Sequence, residues 1–181
     1  GTGTWILSGT NTFTGSVLIN TGTVRLSSVG ALNGSNTVVF GAGSTGVLQL
    51  NGNTYGIAGL NTNATVGTPI VENSAAGVAQ LTVISAGAST YAGVIRNGGA
   101  GMLSIGKAGT GSLTLSGNNT HTGGTTLLAG TLNINSSTAV GSGTFNINGG
   151  SIDNTSAGAI TLTNNNPQNW NGNFAFTGTQ N

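Results

Sequence analysis

Cysteine is absent from this 181-residue chain, which excludes a disulfide framework and a thiolate metal site. Charge is nearly absent as well. The charged side chains are Arg25, Arg96, Lys107, Glu72 and Asp153, in place of the roughly 25% of an average chain. With a net charge of +1, there is no basic patch for phosphates, so nucleic acid is not expected as a partner. No apolar run approaches the ~20 residues of a membrane span, and no signal peptide precedes the first motif. With one histidine, Asp153 and Glu72, no acidic cluster for calcium and no metal set can be assembled, so no cofactor is expected.

Glycine, threonine, asparagine and serine fill that space. They number 34, 29, 24 and 17. Such a composition resembles a flexible linker, but Val, Ile, Leu and Thr recur regularly, which disorder does not do. Apolar residues come in pairs two apart: Trp5/Leu7, Val24/Leu26, Val38/Phe40, Leu48/Leu50, Leu81/Val83, Leu113/Leu115, Leu132/Ile134, Ile160/Leu162, Phe174/Phe176. Period two marks short strands with one buried face. Gly, Asn and Ser at nearly every junction supply the left-handed and tight-turn conformations of corners.

A longer repeat overlies this rhythm. GTGTWILSGTNTFTG at Gly1 returns as GTGSLTLSGNNTHTG at Gly109, and 13 of 28 aligned positions are identical between 1–28 and 109–136. A direct repeat of this length reads as about five coils of 21–22 residues in a solenoid. A sandwich or jelly roll would need no such echo. The expected fold is all-β: a right-handed parallel β-helix (β-solenoid) of about nine coils of ~20 residues, the hand following from chain chirality. Residues 1–181 read as one solenoid segment. It begins in mid-motif and stops without an end signal, as part of a longer repetitive chain would.

The stretch GTGSLTLSGNNTHTGGTTLLAGTLNIN, from Gly109, resembles the autotransporter-associated β-strand repeat, also called the passenger-associated transport repeat. Gly1 to Leu26 is similar to it, with Ser16 and Val17 in place of the second Gly and Thr. The resemblance implies a secreted bacterial β-helix at the cell surface, part of an adhesin or autotransporter passenger. It brings no active site with it.

The repeat also informs the site residues. Phe13 and His121 take equivalent places in the two copies, so the position asks for a flat ring rather than a proton. They are expected to be repeat-equivalent corner rings. Glu72 and Arg96, 24 residues apart, are about one coil apart and are expected to form an inter-coil ion pair. Glu72 and Asp153 are 81 residues apart, nearly four coils, too far for the paired carboxylates of glycoside hydrolysis. Catalytic and metal residues are therefore expected to be none. The sequence reads as a non-catalytic extracellular structural rod or fibre whose partner is itself, by continuous or end-to-end stacking. The alternative is an adhesin or autotransporter passenger segment that binds carbohydrate, such as surface glycans, or other cells.

Overall fold

The computed structural model describes residues 1–179. Nineteen strands run through them: β1 Thr4–Leu7, β2 Ser16–Ile19, β3 Thr23–Leu26, β4 Thr37–Phe40, β5 Val47–Gln49, β6 Thr54–Ile57, β7 Gly59–Thr62, β8 Ile70–Glu72, β9 Val78–Val83 and β10 Ala88–Tyr91. Then follow β11 Val94–Arg96, β12 Met102–Lys107, β13 Ser112–Leu115, β14 Thr125–Leu127, β15 Thr131–Ile134, β16 Phe145–Ile147, β17 Ser151–Asp153, β18 Gln168–Trp170 and β19 Ala175–Phe176. There is no helix among the described residues. Every paired strand is parallel to its neighbour, and the neighbour is always one turn away in sequence.

The chain visits three faces per turn. β1, β3, β5, β8 and β11 form the first. β6, β9, β12, β14, β16 and β18 form the second. The third has two parts, β2-β4-β7 and β10-β13-β15-β17-β19. These parts meet without a backbone ladder. Instead the Thr90 N–H donates to Asn61 Oδ1 at 3.0 Å and the Ala92 N–H donates to Thr62 Oγ1 at 3.1 Å.

The solenoid makes about eight turns, one fewer than expected. The reason is corner size. Thr4 pairs with Thr23, 19 residues on, but Thr54 pairs with Gln80, 26 residues on. The same variation corrects the reading of the long repeat. Within each copy the turn is identical, since Thr4 pairs with Thr23 and Ser112 with Thr131. Yet β1 lies on the first face and its counterpart β13 on the third. The 108-residue offset is therefore not a whole number of turns, and the copies are rotated by one face.

The core consists of axial columns of inward side chains. On the first face Trp5, Val24, Leu48, Val71 and Ile95 are successive partners. On the second, Ile57, Val83, Lys107, Leu127, Ile147 and Trp170 are. The aliphatic members between the end turns are buried. Each buried Leu, Ile or Val stabilises by about 1.5–3 kcal/mol relative to exposure. Buried asparagines tie the corners to the next turn. Asn119 Oδ1 accepts from the Ile95 N–H at 2.9 Å while its Nδ2 donates to the Ala139 carbonyl at 2.7 Å. Asn36, Asn73 and Asn166 are likewise buried and donate to corner carbonyls. A buried corner backbone has to be paired, and a short amide side chain supplies both donor and acceptor.

Candidate functional site

Three of the five charged side chains stand in one outward column of the first face. Arg25, Gln49, Glu72 and Arg96 are successive Cα partners. Arg25 Nε donates to Gln49 Oε1 at 2.9 Å, and Gln49 Nε2 donates to Glu72 Oε1 at 2.7 Å. Arg96 Nε and Nη2 both donate to Glu72 Oε2, each at 2.8 Å. The Glu72 side chain is 6% exposed and that of Arg96 45%. A wall for the carboxylate comes from Gly98, at φ 78°, where an added Cβ would lie 2.6 Å from Glu72 Cβ. The register thus brings together the two residues that their spacing suggested. Gln49 was missed: between inward Leu48 and Leu50 it reads as an outward polar residue, and only the register shows what it bridges.

The two repeat-equivalent rings have different surroundings. Phe13 is 37% exposed, and His121 is fully buried. His121 Nε2 lies 3.1 Å from Thr125 Oγ1, whose hydroxyl also donates to the Val140 carbonyl at 3.0 Å. Nδ1 is buried without a hydrogen-bond partner among the described residues. Burial pulls the imidazole down from 6.5 to about 4, because a cation there would be desolvated. The ring is neutral at ordinary pH and sealed from solvent, so it has no access to a substrate proton.

Lys107 stands two residues before Gly109, where the second copy of the repeat starts. It is the last residue of β12 and points inward, fully buried, between Val83 and Leu127. Its Nζ donates to the carbonyls of Ala108, Gly109 and Ala129, the latter two at 3.1 and 3.4 Å. Desolvation lowers its pKa. The signal was present in the sequence, since Leu103, Ile105 and Lys107 are in phase at period two.

Asp153 Oδ1 accepts from the backbone N–H groups of Asn154 and Thr179, both at 2.8 Å, and Oδ2 accepts from the Thr179 hydroxyl. These donors, Thr179 foremost, lower its pKa. It lines a cavity of about 310 Å³ with Ile134, Ile152, Ile160, Leu162 and Phe176. Glu72, on the first face, and Asp153, on the third, lie three turns apart. That is about 14 Å along the axis at one strand spacing per turn. Each carboxylate is engaged by donors of its own. No cluster of metal-ligating side chains occurs among the described residues. No helix there is long and apolar enough to cross a membrane, which leaves β-barrel spans untouched.

The passenger-associated-transport-repeat family model matches residues 1–26 and 105–134. These are the two one-turn units whose registers coincide. No curated protein and no solved structure matches the chain.

Proposed function

Starting from two passenger-associated transport repeats wound into one solenoid, we propose that this chain is a non-catalytic structural segment of a secreted bacterial passenger. It acts as a stiff rod at the cell surface, extended by stacking further coils on its own. The observation that carries this reading is the continuity of the core columns. Trp5 and Trp170 occupy inward positions in the first and last turns, 61% and 68% exposed. A coil laid over either turn would bury a large ring, as each interior turn buries the one beneath it. Such a coil belongs to the same longer chain or to another copy. The outward polar column supports the same reading, because Glu72 is spent on inter-coil bonds and offers no free acid or base.

Electron microscopy of the purified chain at rising concentration tests the self-stacking part. Filaments of uniform width, with an axial repeat near ~38 Å for eight strand spacings, are the expected result. Separate short rods at all concentrations would overturn stacking between copies. A glycan-binding screen would then decide for the adhesin reading.

A further inference from the structure

Asn-Gly steps are the sites where a backbone amide can attack the preceding side chain, because glycine offers no Cβ to hinder the approach. The chain has five: Asn33-Gly34, Asn51-Gly52, Asn97-Gly98, Asn148-Gly149 and Asn171-Gly172. All lie at corners outside the strands, but the fold treats them differently.

Three are locked. Asn33 Oδ1 accepts from the Ser35 N–H at 2.9 Å, and its Nδ2 donates to the carbonyls of Asn11 and Phe13 at 3.3 and 3.2 Å. Asn97 Oδ1 accepts from the N–H groups of Leu103 and Thr122, and its Nδ2 donates to Thr122 Oγ1 at 2.9 Å. Both side chains are tied at each end and cannot turn toward the following glycine. At Asn51 the nucleophile is held instead: the Gly52 N–H donates to buried Asn73 Oδ1 at 2.8 Å.

Asn148 and Asn171 are exposed and stacked on adjacent turns, with Asn171 Nδ2 donating to Asn148 Oδ1 at 3.0 Å. That bond polarises the Asn148 side-chain carbonyl and leaves its own Nδ2 free to depart. The Gly149 N–H has no acceptor among the described residues. At Asn171 the roles are reversed: its leaving nitrogen is the one engaged.

We propose that Asn148-Gly149 is a self-modifying site, with Asn171 as the positioning residue that activates it. The Gly149 nitrogen loses its proton and bonds to Asn148 Cγ. The side-chain nitrogen leaves as ammonia, and a five-membered succinimide closes. Water then opens either carbonyl, giving aspartate or isoaspartate. Each event adds a negative charge to a chain that has two carboxylate side chains. It places that charge on the corner between β16 and β17, stacked against the corner between β18 and β19.

The test is peptide mapping by mass spectrometry of the whole folded chain during incubation at mildly alkaline pH, with the urea-unfolded chain alongside. In the folded chain, acid is expected first at Asn148, ahead of the other four steps. Asn171→Ala, an exposed change, slows it by about fivefold, the worth of one ordinary hydrogen bond. In urea the five steps converge. The proposal is overturned if another Asn-Gly step leads in the folded chain, if Asn171→Ala leaves the Asn148 rate unchanged or raises it, or if unfolding preserves the ranking.

Discussion

Lys107 lies in register with Val83 on the inward column of the second face, so a lysine stem fills a core place that Ile57, Leu127 and Ile147 fill on other turns. The stem packs as an aliphatic chain and the ammonium reaches the corner carbonyls. Lys107→Ala removes the stem and is expected to cost about 2–4 kcal/mol, as large-to-small core changes do. Lys107→Met keeps the stem and removes a desolvated charge along with its carbonyl bonds. These effects oppose, and a net change within about 1 kcal/mol is expected. Urea unfolding of both variants checks this. Equal losses would mean that the carbonyl bonds, not the stem, hold the column.

His121 makes the fold acid-sensitive. Its folded value of about 4 lies below the ordinary 6.5, so between them the unfolded chain binds the extra proton and the folded chain does not. Stability is full above pH 6.5 and falls as pH drops toward 4, by about 3 kcal/mol in all. Asp153, lowered by its Thr179 bonds, adds a further loss only below the usual carboxylate range. His121→Phe, the residue of the other copy, is expected to flatten the profile between pH 6.5 and 4. Urea midpoints at pH 7.5, 6 and 5 measure it, and an unchanged slope in the variant would exclude His121 as the cause.

Glu72 is buried against Gly98 while Arg96 is half exposed. Removing Arg96 leaves a buried carboxylate with Gln49 as its remaining side-chain donor. Arg96→Ala is therefore expected to cost more than Arg25→Ala, which deprives only the neutral Gln49 Oε1 of its donor while Gln49 Nε2 keeps its bond to Glu72. A double-mutant cycle over Glu72 and Arg96 is expected to give a coupling of about 0.5–1.5 kcal/mol, above a fully exposed pair because one partner is buried. A coupling of zero would reduce the column to a surface coincidence.

The seam between β7 and β10 rests on side chains rather than a backbone ladder. In Asn61→Ala the Thr90 amide loses its acceptor. Its exchange with deuterium is expected to rise about tenfold, while Leu113 and Leu132, within continuous ladders, keep their protection. Uniform acceleration along the rod would show that the seam is not a separate local opening.

Period two made most strands legible, because a half-buried strand writes its two faces into alternate residues. Val24/Leu26, Val38/Phe40, Leu113/Leu115 and Leu132/Ile134 are all buried where the pattern placed them. It gave no pair for β6, β7, β8, β10, β11, β14, β17 or β18; β8 and β11, for instance, carry one buried aliphatic each, Val71 and Ile95, and so leave no alternation to read. It also placed strands at Ile160/Leu162 and Phe174/Phe176. Residues 154–167 are irregular, with Ile160 and Leu162 packed partly against the core, and only Ala175–Phe176 pairs. The repeat gave the one-turn unit correctly but not its rotation, since corner lengths set where a copy restarts and corners carry no period. Burial of His121 was hidden for a related reason: its sequence equivalent, Phe13, lies in the first turn and is partly exposed.

The most direct test of the stacked rod is a distance between residues far apart in sequence and few turns apart in space. Thr82, Gly106, Thr126, Asn146 and Asn169 are successive outward partners on the second face. The chain has no cysteine to remove, so Thr82→Cys with Asn169→Cys can be spin-labelled cleanly for pulsed electron resonance. Four strand spacings predict a narrow distribution near ~19 Å. A broad distribution, or one centred well beyond ~30 Å, would contradict a solenoid that advances one strand spacing per turn.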